Sequence, residues 1–291
     1  MSKIAEAKES LQNHGLGRLF REAIEFALLR SPISTIISKQ IYWKIAPIYY
    51  RKRWCLTNQN KFNAPLDPFK IFWISPNDIV EFSTRSYPQD YNAQKLFGSV
   101  KAGNWDYSRE IETRPNYDGT PAYLYHADRF EDTIIHRSLS KHFIDGEDWE
   151  DTRIYSEAVD LIEAGSRLWR DCESKSEVMD RCDEIDELYE LIRCEGYQTQ
   201  FELIRRGKTR HVGFLDALAN EILVDIGRDG DLLFANARHR LSIAKILDID
   251  KIPVVVLVRH EEWMNKRDNV YSGEMSVNHP DTDELLCDSN F

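Results

Sequence analysis

Arg238, His239 and Arg240 stand side by side where an apolar run ends and a short amphipathic segment begins. Guanidinium groups fork onto phosphate oxygens, and an imidazole donates or exchanges a proton near neutral pH. A helix starting at this point adds unpaired N–H groups and the positive end of its dipole. Residue types and spacing therefore point to a seat for an anion, phosphate first. Glu221 opens the apolar run 222–226, one run earlier in the chain. Arg259 and His260 follow the next run and are candidates to complete the anion pocket, with Trp263 available to stack on a base or sugar. The competing reading makes the triplet a solvated cap with surface ion pairs, Glu221 a surface carboxylate and Trp263 ordinary rim packing.

The segments around these residues must position them. "EILVDI" reads as a strand, "GRDGD" as a tight turn and "LLFA" as a returning strand. Leu241 to Leu247 has the pattern of a short amphipathic helix, and "IPVVVLV" is the continuous β-branched run of a buried strand. Residues 150–207 read as helical. Capping boxes begin at Ser174 with Glu177 and at Thr199 with Glu202, and Gly196 and Gly207 serve as stops. Tyr197 and Gln200 fall between these helices and read as a hinge, the alternative being that they approach the pocket. Ile71 to Ile74 is a strand in an otherwise irregular region, where "GSVKAGNWDY" is turn-rich and Gly103 to Tyr107 reads as a packed loop rather than a lid.

The N-terminal segment reads as two helices, the second starting with Ser31 as cap and Pro32 at its first turn. Isoleucines 33, 36, 37, 41, 45 and 48 recur along it at helical spacing, and Arg51 to Arg53 are expected past its end. Residues 1–54 carry ten Lys/Arg against four Asp/Glu, and no acidic residue occurs between Phe26 and Leu66. Such a segment suits an anionic membrane surface. The competing reading is a core-docked helix with a solvated basic face, and docking onto the chain's own acidic remainder is a third use.

The stretch "DGDLLFANARHRLSIAKILDIDKIPVVVLVRH" resembles the ParB/sulfiredoxin-like superfamily. The members share a strand, a "DG-x-HR-x-x-A" or "GE-RR-x-x-A" box at a helix start, and an "IPV" strand. Here the box is Asn236 to Arg240 with Leu241 and Ala244 on the helix, followed by Ile252-Pro253-Val254, and the likeness covers Glu221 to Trp263. The resemblance implies nucleotide or phosphate binding at that box. Within the superfamily, sulfiredoxins carry a Cys where this chain has Arg238. The CTP-hydrolysing partition clamps carry a helix-turn-helix that has no counterpart after the box here. The kinases that phosphorylate free serine fit better, because they place an acidic residue near the position of Glu221. Two departures weigh against chemistry: the box has Asn236 for Asp and Ala237 for Gly. Asn can neither act as a base nor hold a cation with full charge, and Ala narrows the backbone approach that Gly allows.

The 291 residues suffice for one large domain or two small ones, with 42% hydrophobic and 30% charged residues. A net charge of −11 opposes general nucleic-acid binding. Five cysteines without a CxxC pair fit free thiols in a reducing cytoplasm, and no metal site is expected. The expectation is an α+β fold: a small mixed β-sheet of ParB/sulfiredoxin-like type packed with helices, plus a helical N-terminal extension. Its divisions are residues 1–60 as the basic helical extension, 61–150 as an irregular β region packed on the core and 151–207 as helical. The ParB/sulfiredoxin-like domain then spans 208–268 and an acidic disordered tail 269–291.

The expected function is binding of a nucleotide (ATP, ADP or CTP, with Mg2+ alongside) or a phosphorylated small molecule, with phosphotransfer as the reaction. Glu221 and His239 would be catalytic, and Asn236, Arg238, His239, Arg240, Arg259 and His260 would hold the ligand. The alternatives are a non-catalytic ligand-sensing or interaction module and, third, a ParB-like nuclease or DNA-associated protein. The expected location is cytoplasmic, with peripheral membrane contact through residues 31–54.

Overall fold

Two apolar runs in the C-terminal half, at 222–226 and 252–260, form the centre of a six-stranded sheet. The structure is a computed structural model; it describes residues 36–57, 61–83, 93–107, 127, 129–165, 172–209, 213–283 and 285. The elements begin with α1 (Ile36–Thr57), β1 (Ile71–Ile74), β2 (Ile79–Phe82) and β3 (Ser99–Lys101). Helices α2 (Ile134–Ser140), α3 (Arg153–Glu163), α4 (Lys175–Glu195), α5 (Gln200–Arg205) and α6 (Phe214–Ala219) follow. The chain then forms β4 (Ile222–Ile226), β5 (Leu232–Asn236), α7 (Arg238–Ile246), β6 (Ile252–His260) and α8 (Glu261–Tyr271). The fold is thus α+β with a mixed sheet and a helical N-terminal part. The expected first helix and the Ser31-Pro32 helix start lie outside the described residues.

By internal contacts the chain divides into two compact units: Met1–Gln59 with Gln200–Leu218, and Asn60–Thr199 with Ala219–Phe291. Residues 200–218 group with the N-terminal helix, and strands drawn from 61–150 pair with strands near the C-terminus. In the first unit α1 lays Tyr42, Ala46 and Tyr50 inward. The Tyr50 ring stacks on Phe214 at 5.7 Å, Trp43 meets Phe201 edge-on at 5.5 Å, and the Tyr42 hydroxyl accepts from the Phe214 N–H at 2.8 Å. α1 runs on to Thr57, so Arg51 to Arg53 lie inside the helix rather than past its end.

In the second unit the strand order is β1-β6-β4-β5-β2, with β3 also on β6. β6 is buried along its whole length, as its β-branched run requires. It pairs parallel with β4 and β3 and antiparallel with β1. β4 and β5 form the expected antiparallel hairpin through the turn at Gly227–Gly230. The β4/β6 register slips between Val224 and Ile226, leaving an extra residue on β6. Asp225, fully buried, accepts there from the Val258 N–H at 3.1 Å and from the Ser83 hydroxyl at 2.5 Å. α7 joins the layers: Leu241 and Ala244 pack on the sheet core, and Ile243 packs into the core of α2, α3 and α4.

The tail expected to be disordered from 269 is structured as far as it is described. α8 runs to Tyr271, and Asp281, Thr282 and Leu285 are buried. The reason is electrostatic: Asp281 is the counter-ion of buried arginines. Arg259 donates to it at 2.6–3.2 Å, Arg267 lies 3.1 Å away, and the Trp263 indole N–H donates at 2.9 Å. Burial pushes this carboxyl up, but the two guanidinium groups and the indole outweigh it and hold the group at about 2.

Candidate functional site

The open end of the β4–β5 hairpin brings the first candidates together. Leu223 pairs with Asn236, so the chain enters β4 beside the point where it leaves β5. Glu221 therefore lies next to the 236–240 box although fifteen or more residues separate them in sequence. α7 starts at Arg238 directly after β5, as the sequence pattern requires. Ala237, in the capping position, has φ 76° and ψ 47°, the left-handed conformation. That is the geometry a glycine takes without penalty. The Asn236 side-chain oxygen accepts from the Ala237 N–H at 2.8 Å, which ties it to the strained turn.

The side chains converge on Arg240. Its Nη1 is 3.9 Å from Glu221 Oε2, with Glu221 fully buried and the Arg240 side chain 15% exposed. Tyr197, immediately after the Gly196 that ends α4, brings its phenol to the same pair. Burial pushes this phenol well above its ordinary value, with Arg240 working against the rise. Arg240 Nη1 and Tyr197 Oη are both buried without a hydrogen-bond partner. Nearly all buried polar atoms in native structures are paired; here the ion pair with Glu221 and the contact between guanidinium and phenol leave donor capacity for a further acceptor beside the helix start. Arg238 and His239 occupy the first turn, each partly buried, with His239 Nε2 inside. The hinge expected at Tyr197 is thus also a wall of the site. Its signal in the sequence was its place directly after a helix-stopping glycine.

Arg259 and His260 are not part of this corner. β6 runs parallel to β4, and Arg259 pairs with Ile226 at the turn end of the hairpin. Five-residue strands at ~3.3 Å per residue put roughly 15 Å between the two ends. Arg259 is committed to Asp281. His260 caps α8: its Nδ1 accepts from the Glu262 N–H at 3.1 Å, so Nε2 carries the proton given to Gly103 O at 2.7 Å. Trp263 is 1% exposed and lies against Gly230, where an added Cβ would come within 2.7 Å of the ring. It packs and does not stack on a ligand.

The 103–107 loop is packed, the favoured one of its two readings. Asp106 grips the Arg228 guanidinium at 2.8–3.3 Å, and the Tyr107 ring lies under it at 4.0 Å. A cleft of about 680 Å³ opens at this same turn end. Asp78, Glu81, Asp106 and Asp231 line it, a charge that opposes phosphate. Among the described residues no group of His, Cys, Asp or Glu has metal-holding geometry. Any Mg2+ at the Arg240 corner would arrive on the phosphates of a nucleotide. No family model matches the chain, and neither a curated protein nor a solved structure matches it.

Proposed function

We propose that this chain binds a phosphate-bearing small molecule, a nucleotide such as ATP, ADP or CTP, in the manner of the ParB/sulfiredoxin-like superfamily. The seat is the corner of Asn236 to Arg240 with Glu221 and Tyr197. The observation that carries the reading is the adjacent pair of buried donors, Arg240 Nη1 and Tyr197 Oη, which make no full hydrogen bond at the start of α7 although Arg240 also faces Glu221. A phosphoryl oxygen would satisfy both, with helix N–H groups adding further donors. If the bound group is transferred, Glu221 would take the proton of an acceptor hydroxyl as that oxygen attacks the terminal phosphorus, and the nucleoside diphosphate would leave. A cytosolic setting, where nucleotides are plentiful, suits this reading.

One observation favours binding without turnover. Asn236 spends its side-chain oxygen on the Ala237 N–H, so it is neither base nor cation ligand. A ligand-sensing module keeps the seat and needs neither. The DNA-associated reading draws no support from a net charge of −11.

The test is thermal unfolding with ATP, ADP, CTP and pyrophosphate, with and without Mg2+, alongside an assay for released inorganic phosphate. A ligand at about 100 times its Kd stabilises by ~2.7 kcal/mol, several degrees in Tm. Tyr197→Phe keeps the packing and removes one donor; Arg240→Lys keeps the charge and removes the fork. Both should weaken binding about tenfold or more. Absence of any stabilisation across the panel rejects the reading. Binding without phosphate release selects the sensing module.

A further inference from the structure

The helix α1 has two apolar faces, and only one is buried. Tyr42, Ala46 and Tyr50 are 4–7% exposed against the aromatic side chains of 200–218. Ile41, Ile45, Ile48, Tyr49 and Leu56 are 51%, 56%, 55%, 48% and 86% exposed. At 100° per residue these five fall within an arc of roughly 100° that adjoins the buried face, its centre turned about 110° from it. The expectation of a core-docked helix assigns the isoleucines to the core; the aromatic stripe docks in their place and leaves Ile41, Ile45 and Ile48 outside.

The charges on this helix have one sign. Lys44, Arg51, Lys52 and Arg53 are all exposed, and no Asp or Glu occurs from Phe26 to Leu66. On the helical wheel Lys44 and Arg51 border the aliphatic arc on one side, Lys52 lies within it, and Arg53 lies at the angle of the buried face, past its last residue Tyr50. Among the described residues no helix is long and apolar enough to cross a membrane. We propose that the outer face of α1 is a docking surface for an anionic lipid membrane. Three isoleucines and a leucine enter the acyl boundary, Tyr49 sits at headgroup depth, and the cations meet lipid phosphates and carboxylates. A second copy of the chain fits this face poorly, because a symmetric pairing would bring two rows of Lys and Arg together with no carboxylate between them. Residues 55–291 carry −17, so attraction must be local. A Debye length of about 8 Å at physiological salt confines each patch to its own surroundings.

The experiment is flotation of the full chain with vesicles of phosphatidylcholine, alone or with about one third phosphatidylserine. The chain should float with the anionic vesicles and about tenfold less with the neutral ones or at high salt. The double variants Ile45→Glu/Ile48→Glu and Lys44→Glu/Lys52→Glu should each lose about tenfold or more. All four positions are exposed, and an unchanged Tm confirms that the variants fold. Light scattering should show that wild type does not self-associate through this face. Failure to float with anionic vesicles overturns the proposal, as does equal flotation with neutral ones. An oligomer abolished by Ile45→Glu/Ile48→Glu also overturns it, assigning the face to a second copy.

Discussion

Ala237 shows how one residue links the backbone to the chemistry of the corner. A left-handed conformation costs a non-glycine residue about 1–2 kcal/mol, and here the cost falls at the residue that opens α7. The methyl group recovers part of it by packing at the rim of the sheet core. Ala237→Gly removes the strain but gives the unfolded chain more freedom, so a net gain of up to about 1 kcal/mol is expected. Urea midpoints at unchanged slope would report it; a lower midpoint would mean that methyl packing outweighs the strain. The same variant restores the glycine of the superfamily box. If the Ala237 methyl crowds a ligand's phosphate, Ala237→Gly should also tighten pyrophosphate binding. An unchanged affinity together with higher stability would separate the backbone effect from the site.

At the scale of elements, α7 is set between the sheet and the helical layer, and its far end lies beside a buried titratable group. His136 on α2 lies with Lys245 of α7 and Glu131, whose own pair is 3.0 Å apart. Burial pushes His136 down to about 4, Glu131 opposes the shift and Lys245 adds to it. Its Nδ1 is buried without a hydrogen-bond partner, which also favours the neutral ring. The unfolded state thus binds a proton in the window between pH 6.5 and 4 that the folded state does not. The stability is complete above pH 6.5 and falls as pH drops toward 4, by about 3 kcal/mol in all. Tm measured at pH 7 and pH 5 should fall less for His136→Gln than for wild type. Equal falls would place the acid sensitivity elsewhere.

The sequence shows such elements unevenly. The hairpin, β6 and α7 are legible because their signals are local: a turn dipeptide, a β-branched run, a change of period. Glu221 beside Arg240 follows from the same hairpin once it closes. The positions of Arg259 and His260 depend on β6 lying parallel to β4, a long-range pairing that no local pattern encodes. The outward isoleucines of α1 are hidden for another reason, since periodicity finds two apolar stripes and does not say which one docks.

At the scale of the molecule, the C-terminal segment closes the second unit on itself. It carries three of the contacts that neutralise or satisfy buried groups elsewhere: Asp281 with Arg259 and Arg267, His279 Nε2 donating to Gly230 O at 3.0 Å, and Leu285 against Ala64 and Val270. The composition of this segment, acidic and polar, reads as a solvated tail, yet the deeply buried carboxylate of Asp281 is what allows two arginines inside. Loss of one partner from a buried pair costs about 3–5 kcal/mol, because the remaining charge is left uncompensated. Asp281→Asn should therefore destabilise by that order, and ending the chain after Ser276 by at least as much, with Leu285 lost as well. Since the carboxyl is held at about 2, its contribution is complete above pH 3.8 and disappears only as pH falls toward 2. At pH 7, denaturant unfolding of Asp281→Asn should show the full loss. If the mutant unfolds within about 1 kcal/mol of wild type, the arginines reach water or another acceptor in its place, and the segment is a cover rather than a structural counter-ion.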